Sequence, residues 1–262
     1  MEAVAALQVA IPPRNTTMPR ARATLRDVSR APTLSSACTI LDKCLSADLD
    51  TETIRQLDDL VTTRIRLRKG ETLYRAGGSF TALYAIRSGS LKTVLLAEDG
   101  REQVAGYHMP GEVVGLDGIG NDMHECQAIA LEDSEVCALL FDRIEQIARD
   151  SAAFQHNVHR YLSREIARQR TLMLLLGTMR ADQRLAAFLL DLSQRYQARG
   201  YSSSEFILRM TREEIGSYLG LKLETISRLL SRLQQEGLIQ VQGRVVKLLE
   251  RPALRQLIGQ SD

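Results

Sequence analysis

The chain has no tryptophan and only four cysteines, six prolines and 5% aromatic residues among its 262 residues. Four cysteines in a chain of this length do not make a disulfide scaffold, which points to a reducing, cytoplasmic setting. Long apolar runs are also missing, so nothing is suited to span a bilayer and no membrane partner is expected. Residues 3–11 are apolar, but they follow Glu2 instead of a basic region and run into Pro12 and Pro13, unlike an export signal. An excess of one charge is absent. The net charge of +2 neither demands nor excludes nucleic acid, because a basic face can hide inside a nearly neutral total. Catalytic signatures are lacking as well: there is no HExxH, no P-loop, no GxSxG and no clustered acid-base pair. An enzyme built on a β-roll is therefore the distant alternative.

What is present is a hydrophobic fraction of 44%, enough for two compact domains and a connecting element. Residues 1–34, with Arg14, Arg20, Arg22, Arg26 and Arg30 among Thr, Pro and Ser, have the composition of a disordered tail, which an organelle transit peptide shares. Residues 35–50 carry Cys38 and Cys44. Over 51–60 the spacing of Ile54, Leu57, Leu60 and Val61 predicts a short amphipathic helix. From there to Phe141, short apolar runs such as LYAI, LKTVLL and VCALLF alternate with glycine-bearing turns, as in an antiparallel roll or barrel.

Between Ile144 and Met179 the first glycine is Gly177 and there is no proline, so one long helix is expected over 144–179. Leu162, Ile166, Met173 and Leu176 are spaced by four and three around Gln169, a heptad seam that suits a parallel helix pair across a homodimer. Packing against its own domain is the alternative. Gln169 either sets register and weakens association or points outward.

The remainder, 180–262, reads as helix, short strand, two helices and a hairpin about Gly243. Thr211 and Glu214 fit a capping box that starts a helix. Gly216 is small where two helices must approach, Gly220 suits a turn with positive φ, and Ile226 returns to the core, all at helix-turn-helix spacing. In the second helix Ile226, Leu229, Leu230 and Leu233 form the buried side and leave Glu224, Ser227, Arg228 and Ser231 opposite. There Arg228 can bond both acceptors of a guanine, Glu224 can accept from a cytosine or adenine amino group, and Ser227 can reach base or phosphate. Lys222, Arg232 and Arg244 suit phosphates. Glu224 and Arg228 as a plain surface (i, i+4) pair is the competing reading.

The runs MTREEIGSYLGLKLETISRLLSRLQQEGLI, LYAIRSGSLK and RLAAFLLDLSQRY resemble the CRP/FNR family, closest to its FNR branch, and the likeness covers about 38–249. The resemblance implies an α+β chain: an N-terminal antiparallel β-roll of the cyclic-nucleotide-binding type over 51–143, a long dimerisation helix over 144–179 and a winged helix-turn-helix over 180–262. It further implies a transcription regulator of double-stranded DNA. Glu224, Ser227 and Arg228 match the family's Glu-x-x-Ser-Arg, which reads an inverted repeat close to TTGAT-N4-ATCAA. The loop over 97–102 resembles the surface that contacts RNA polymerase, so activation is expected.

Two signals are weighed for the roll. Family members that bind cyclic nucleotides hold the phosphate with an Arg-Ser pair, whereas the matching positions here are His124 and Glu125. An acidic side chain repels a phosphate diester, so no cyclic nucleotide is expected. The FNR branch binds a [4Fe-4S] cluster through three N-terminal cysteines and one in the roll, since thiolates suit iron. Cys38, Cys44 and Cys137 match three of these, while Ser35 stands where the first cysteine belongs. Three possibilities stay open: Cys126 is the fourth ligand, Ser35 or Asp42 completes the cluster, or none forms and the regulator is controlled by abundance or another effector. Gln169 also replaces an acidic residue that opposes dimerisation in that branch.

Overall fold

A computed structural model describes residues 49–97 and 100–259 of the chain. They form two compact units, one up to Tyr161 and one from Leu162 onward.

The first unit opens with α1 (Thr51–Leu60), whose Thr53 amide donates to Asp50 Oδ1 at 2.7 Å. The helix has the expected bounds, and Val61, which shares its apolar spacing, begins the first strand. The strands are β1 (Val61–Leu67), β2 (Thr72–Tyr74), β3 (Ala82–Ser88), β4 (Leu91–Leu96), β5 (Glu102–His108), β6 (Val113–Val114), β7 (Gln127–Ala130) and β8 (Ser134–Leu140). They build two four-stranded antiparallel sheets in the orders β1-β8-β3-β6 and β2-β7-β4-β5, the expected roll.

The register of β3 on β8 explains why both central strands are almost wholly apolar. Ala85 lies opposite Cys137 and Ile86 opposite Val136, and since neighbouring side chains point to opposite faces, each strand serves two cores. Ala85, Cys137 and Leu139 pack with Leu57, Leu60, Ile144, Ile147 and Phe154 of the helices. Ile86 and Val136 pack with Leu67, Tyr74, Leu91, Cys126 and Ala128 of the other cluster.

The helix expected over 144–179 is two helices, α2 (Phe141–Asp150) and α3 (Ala152–Thr178). Ser151 separates them. Its backbone is extended (φ −128°, ψ 105°) and its hydroxyl accepts from the Phe154 amide at 3.3 Å, an N-cap that starts a new helix without any proline or glycine. Near the end of this unit the buried Tyr161 hydroxyl accepts from the Val113 amide at 2.9 Å, fastening α3 to β6.

The second unit continues α3 and adds α4 (Ala181–Ala198), β9 (Glu205–Ile207), α5 (Arg212–Leu219), α6 (Leu223–Gln235), β10 (Ile239–Gln242), β11 (Val245–Leu248) and α7 (Arg251–Leu257). The three strands pair antiparallel in the order β10-β11-β9, so the expected hairpin gains a third strand. Its core gathers Leu185, Leu189, Ile215, Leu219, Ile226 and Leu254, each at most 1% exposed. The short α7 was not expected: Pro252 at its start pre-sets the first turn, and Leu254 anchors it.

Candidate nucleic-acid interface

The helix-turn-helix is built by local chemistry. Thr211 Oγ1 accepts from the Glu214 amide at 3.1 Å while Glu214 Oε2 accepts from the Thr211 amide at 2.6 Å, which satisfies two amides at the head of α5. At Gly216 a Cβ would stand 2.5 Å from the Leu221 carbonyl oxygen, so only glycine lets the chain fold back this closely. Gly220 then turns the backbone with φ +64°.

These constraints deliver α6 with one apolar side: Ile226, Leu230 and Leu233 are buried, and Leu229 is half-buried. The opposite side presents Glu224, Arg228 and Ser231 to solvent, with Ser227 half-buried between them. Glu224 sits in the first turn, where the helix dipole favours a carboxylate. Among the described residues no ion pair joins Glu224 to Arg228, so both keep their hydrogen-bonding groups available. Ser227 is less free: its hydroxyl accepts from Arg212 Nη1 at 3.2 Å, and its carbonyl accepts from Ser231 Oγ at 3.1 Å. Arg212 was missed in the sequence because it lies on the preceding helix, fifteen positions away.

The three candidate phosphate ligands differ. Lys222 precedes α6 and Arg244 sits at the β10–β11 turn, both exposed. Arg232 is engaged instead, with Nε 2.8 Å from Glu236 Oε1 and Nη1 3.8 Å from Asp182 Oδ2.

On α3 the seam residues form an apolar strip. Ile166 is 53% and Met173 72% exposed, Gln169 is exposed, and Leu162 and Leu176 are half-buried. Apolar surface left open at heptad spacing is typical of a face that meets a partner.

Inside the roll, His124 is buried and stacks on Tyr74 with ring centroids 3.8 Å apart. Its Nδ1 lies 3.6 Å from Asp117 Oδ1. The other oxygen of Asp117 accepts from the Glu125 amide at 2.8 Å, the Cys126 amide at 3.1 Å and Cys126 Sγ at 3.3 Å. Burial works against the Asp117 charge, but the nearby His124 ring and the hydrogen bonds from the Cys126 amide and thiol outweigh it and hold the carboxyl below its ordinary range. Burial, and then the Asp117 charge, push the Cys126 thiol well above its ordinary value. A half-buried anion thus lies beside His124, and the exposed Glu125 adds another carboxylate.

Cys137 belongs to the other core cluster, with Leu57 and Leu60 of α1 and with Leu49, five residues beyond Cys44. Burial raises its thiol while Arg64 and Arg87 pull it back. Cys38, Cys44, Ser35 and Asp42 lie outside the described residues, as do Glu98 and Asp99 of the 97–102 loop. Among the described residues no group of three or more His, Cys, Asp or Glu side chains is placed to hold a metal ion, and no helix is long and apolar enough to cross a membrane.

Comparison with known proteins agrees with this architecture. Residues 64–151 match the cyclic nucleotide-binding domain family, and residues 183–257 match the Crp-like helix-turn-helix domain. The chain is 48% identical over 225 residues to the transcriptional regulatory protein btr of Bordetella pertussis, covering 86% of this chain and 93% of that protein. It is 40% identical over 222 residues to the fumarate and nitrate reduction regulatory protein of Escherichia coli, covering 85% and 89% respectively. Among solved structures, FixK2 from Bradyrhizobium japonicum superposes with a TM-score of 0.69 at 32% identity, covering 74% of this chain and 96% of that one. With relatives of this kind over most of its length and a formed helix-turn-helix, the chain belongs to the CRP/FNR family of DNA-binding transcription regulators.

Proposed function

We propose that the chain acts in the cytoplasm as a homodimer that binds an inverted repeat close to TTGAT-N4-ATCAA, with α6 of each copy in successive major grooves. The observation that carries this reading is the solvent-facing, mutually unpaired Glu224 and Arg228 on the first two turns of α6. Arg228 bonds the two acceptors of guanine, Glu224 accepts from a cytosine or adenine amino group, and Ser227, oriented by Arg212, contacts base or phosphate. Lys222 and Arg244 neutralise phosphates directly; Arg232 does so after exchanging its carboxylate partners. The apolar strip of Leu162, Ile166, Met173 and Leu176 supports association through α3, with Gln169 as its polar member. The loop over 97–102 serves as a surface for RNA polymerase. The anionic Asp117 and Glu125 beside His124 argue against a cyclic nucleotide in the roll.

The signal in this reading is oxygen or redox state. Cys38, Cys44 and Cys137 are the thiols that would hold a [4Fe-4S] cluster, with the fourth ligand drawn from Cys126, Ser35 or Asp42. Such a group, when bound, supplies chemistry that reacts with oxygen. As donors, three sulfurs suit iron, and Leu49 packs against the core cluster that contains Cys137. Cys126 fits less well, because its thiol donates to Asp117 and faces the other cluster. That observation, with Ser35 and Gln169, favours a second reading: a cluster-free regulator controlled by abundance or another effector.

Purification without air, followed by iron analysis, visible absorbance and titration of the palindrome with and without air, separates the two. The oxygen-responsive reading expects bound iron and tighter binding without air. A colourless, iron-free protein that binds equally in both would leave the second reading standing.

A further inference from the structure

Arg184, in the first turns of α4, belongs neither to the reading face nor to the seam, yet its guanidinium donates to three backbone carbonyls. Its Nε donates to the Met179 carbonyl at 2.9 Å, Nη2 to the Leu176 carbonyl at 2.7 Å and Nη1 to the Leu219 carbonyl at 3.1 Å. Leu176 lies in the last turn of α3 and Met179 just beyond it, and Leu219 is the last residue of α5. Carbonyls at these ends have no partner within their own helices, and they are the negative poles of the helix dipoles. One half-buried cation therefore ties together the ends of two helices from a third. The turn at Gly220 lies alongside it: a Cβ there would stand 3.4 Å from Arg184 Nη1 and 3.8 Å from Leu176 Cδ2, ordinary contact distances.

The pattern of donors selects arginine. Three carbonyls spread across two helix ends are reached by the rigid planar fork of a guanidinium, whereas an ammonium offers its donors from a single point. The tie is also strategic. Leu176 is a member of the apolar strip on α3, and Leu219 immediately precedes the turn into α6. Whatever fixes the angle between these two helix ends fixes where α6 points relative to the strip.

We propose that Arg184 is the positioning residue that holds the helix-turn-helix at a set angle to α3 and thereby sets the half-site spacing the dimer accepts. This rests on the homodimer reading above. In a symmetric dimer, an error in that angle is applied twice, so the distance between the two α6 helices is sensitive to it. Loss of the fork would leave base reading within a half-site intact and blur the separation at which both half-sites are engaged.

The test uses the full chain and duplexes that carry the two half-sites separated by three, four, five or six base pairs. One added pair moves a half-site by about 3.4 Å and about 35° around the duplex, and the wild type should lose about tenfold in affinity for it. In Arg184→Gln the loss should shrink to less than about threefold, while single-base changes inside a half-site cost as much as in the wild type. A merely structural role would lower affinity for every duplex together and leave the spacing profile sharp, and a sharp profile in the variant overturns the proposal. Should Arg184→Gln not fold by thermal melting, Arg184→Lys, which keeps the charge and loses the fork, is read by the same profile and the same criterion. A wild type with no spacing preference would sink the homodimer reading, and this role with it. A sharp wild type beside a sharp variant sinks this role alone.

Discussion

The reading face of α6 and the interior of the roll handle their polar groups in opposite ways. On α6, Glu224 and Arg228 are exposed and unpaired, set on a rigid helix whose other side is sealed by Ile226, Leu230 and Leu233. In the roll, Asp117, His124 and Cys126 are turned on one another and on Tyr74, with the backbone amides of Glu125 and Cys126 completing the set. The first arrangement leaves hydrogen-bonding capacity for an outside partner. The second turns much of it inward, although the Tyr74 hydroxyl and the His124 Nδ1 are left without a hydrogen-bond partner among the described residues. A substitution in the first region should therefore change binding without touching stability, and a substitution in the second should do the reverse.

The largest effect belongs to the reading face. If Arg228 reads guanine as proposed, Arg228→Ala should remove a pair of bonds in each half-site, with an expected cost of about 1–3 kcal/mol per half-site and thus about 2–6 kcal/mol for a dimer. The melting temperature should stay put, because the side chain is exposed and takes part in no hydrogen bond or ion pair among the described residues. Electrophoretic or fluorescence titration of the TTGAT palindrome checks this at fixed salt. Unchanged affinity would mean that Arg228 does not read DNA.

The roll supplies the next effect. Asp117→Asn keeps the shape but loses the charge that accepts from Cys126 and lies beside His124, with an expected destabilisation of about 1–3 kcal/mol at neutral pH. Preference for the DNA site should not change. The acid side sharpens the contrast. Because the folded-state value of Asp117 is depressed, its contribution is complete above the ordinary carboxylate range near pH 4 and is lost as pH falls through the lower folded value. The gap in stability between wild type and Asp117→Asn, followed by denaturant titration, should therefore be constant above about pH 5 and close below about pH 4. A gap that persists in acid would show that shape, not charge, is what Asp117 contributes.

The two regions also differ in how far they were legible in the sequence. Thr211, Glu214, Gly216, Gly220 and the spacing of Ile226, Leu230 and Leu233 act over a few residues, so their chemistry announces itself in linear order. The Asp117 cluster draws Tyr74 from β2 and His124 and Cys126 from the approach to β7, and only the strand order of the second sheet brings them together. Arg184 was invisible for a related reason: its partners are backbone carbonyls, which any residue carries, one of them 35 positions away. The break at Ser151 escaped because a serine inside a charged stretch reads as easily as a surface residue as it does as a cap.

The smallest effect tests whether that local legibility carries energy. Thr211→Ala removes the acceptor for the Glu214 amide and leaves Glu214 still able to accept from residue 211, so half of the capping box survives. The expected cost is about 1 kcal/mol. Arg212 at the head of α5 touches Ser227, so affinity for the palindrome should fall by no more than the fraction of molecules in which this end of α5 has frayed. At a stability of several kcal/mol that fraction is negligible. Hydrogen exchange of the first-turn amides of α5 should quicken by about fivefold, the amount that 1 kcal/mol allows, while amides of the roll keep their rates. If exchange quickens in the roll as well, the two units unfold together, and separate treatment of binding and stability fails at its first premise.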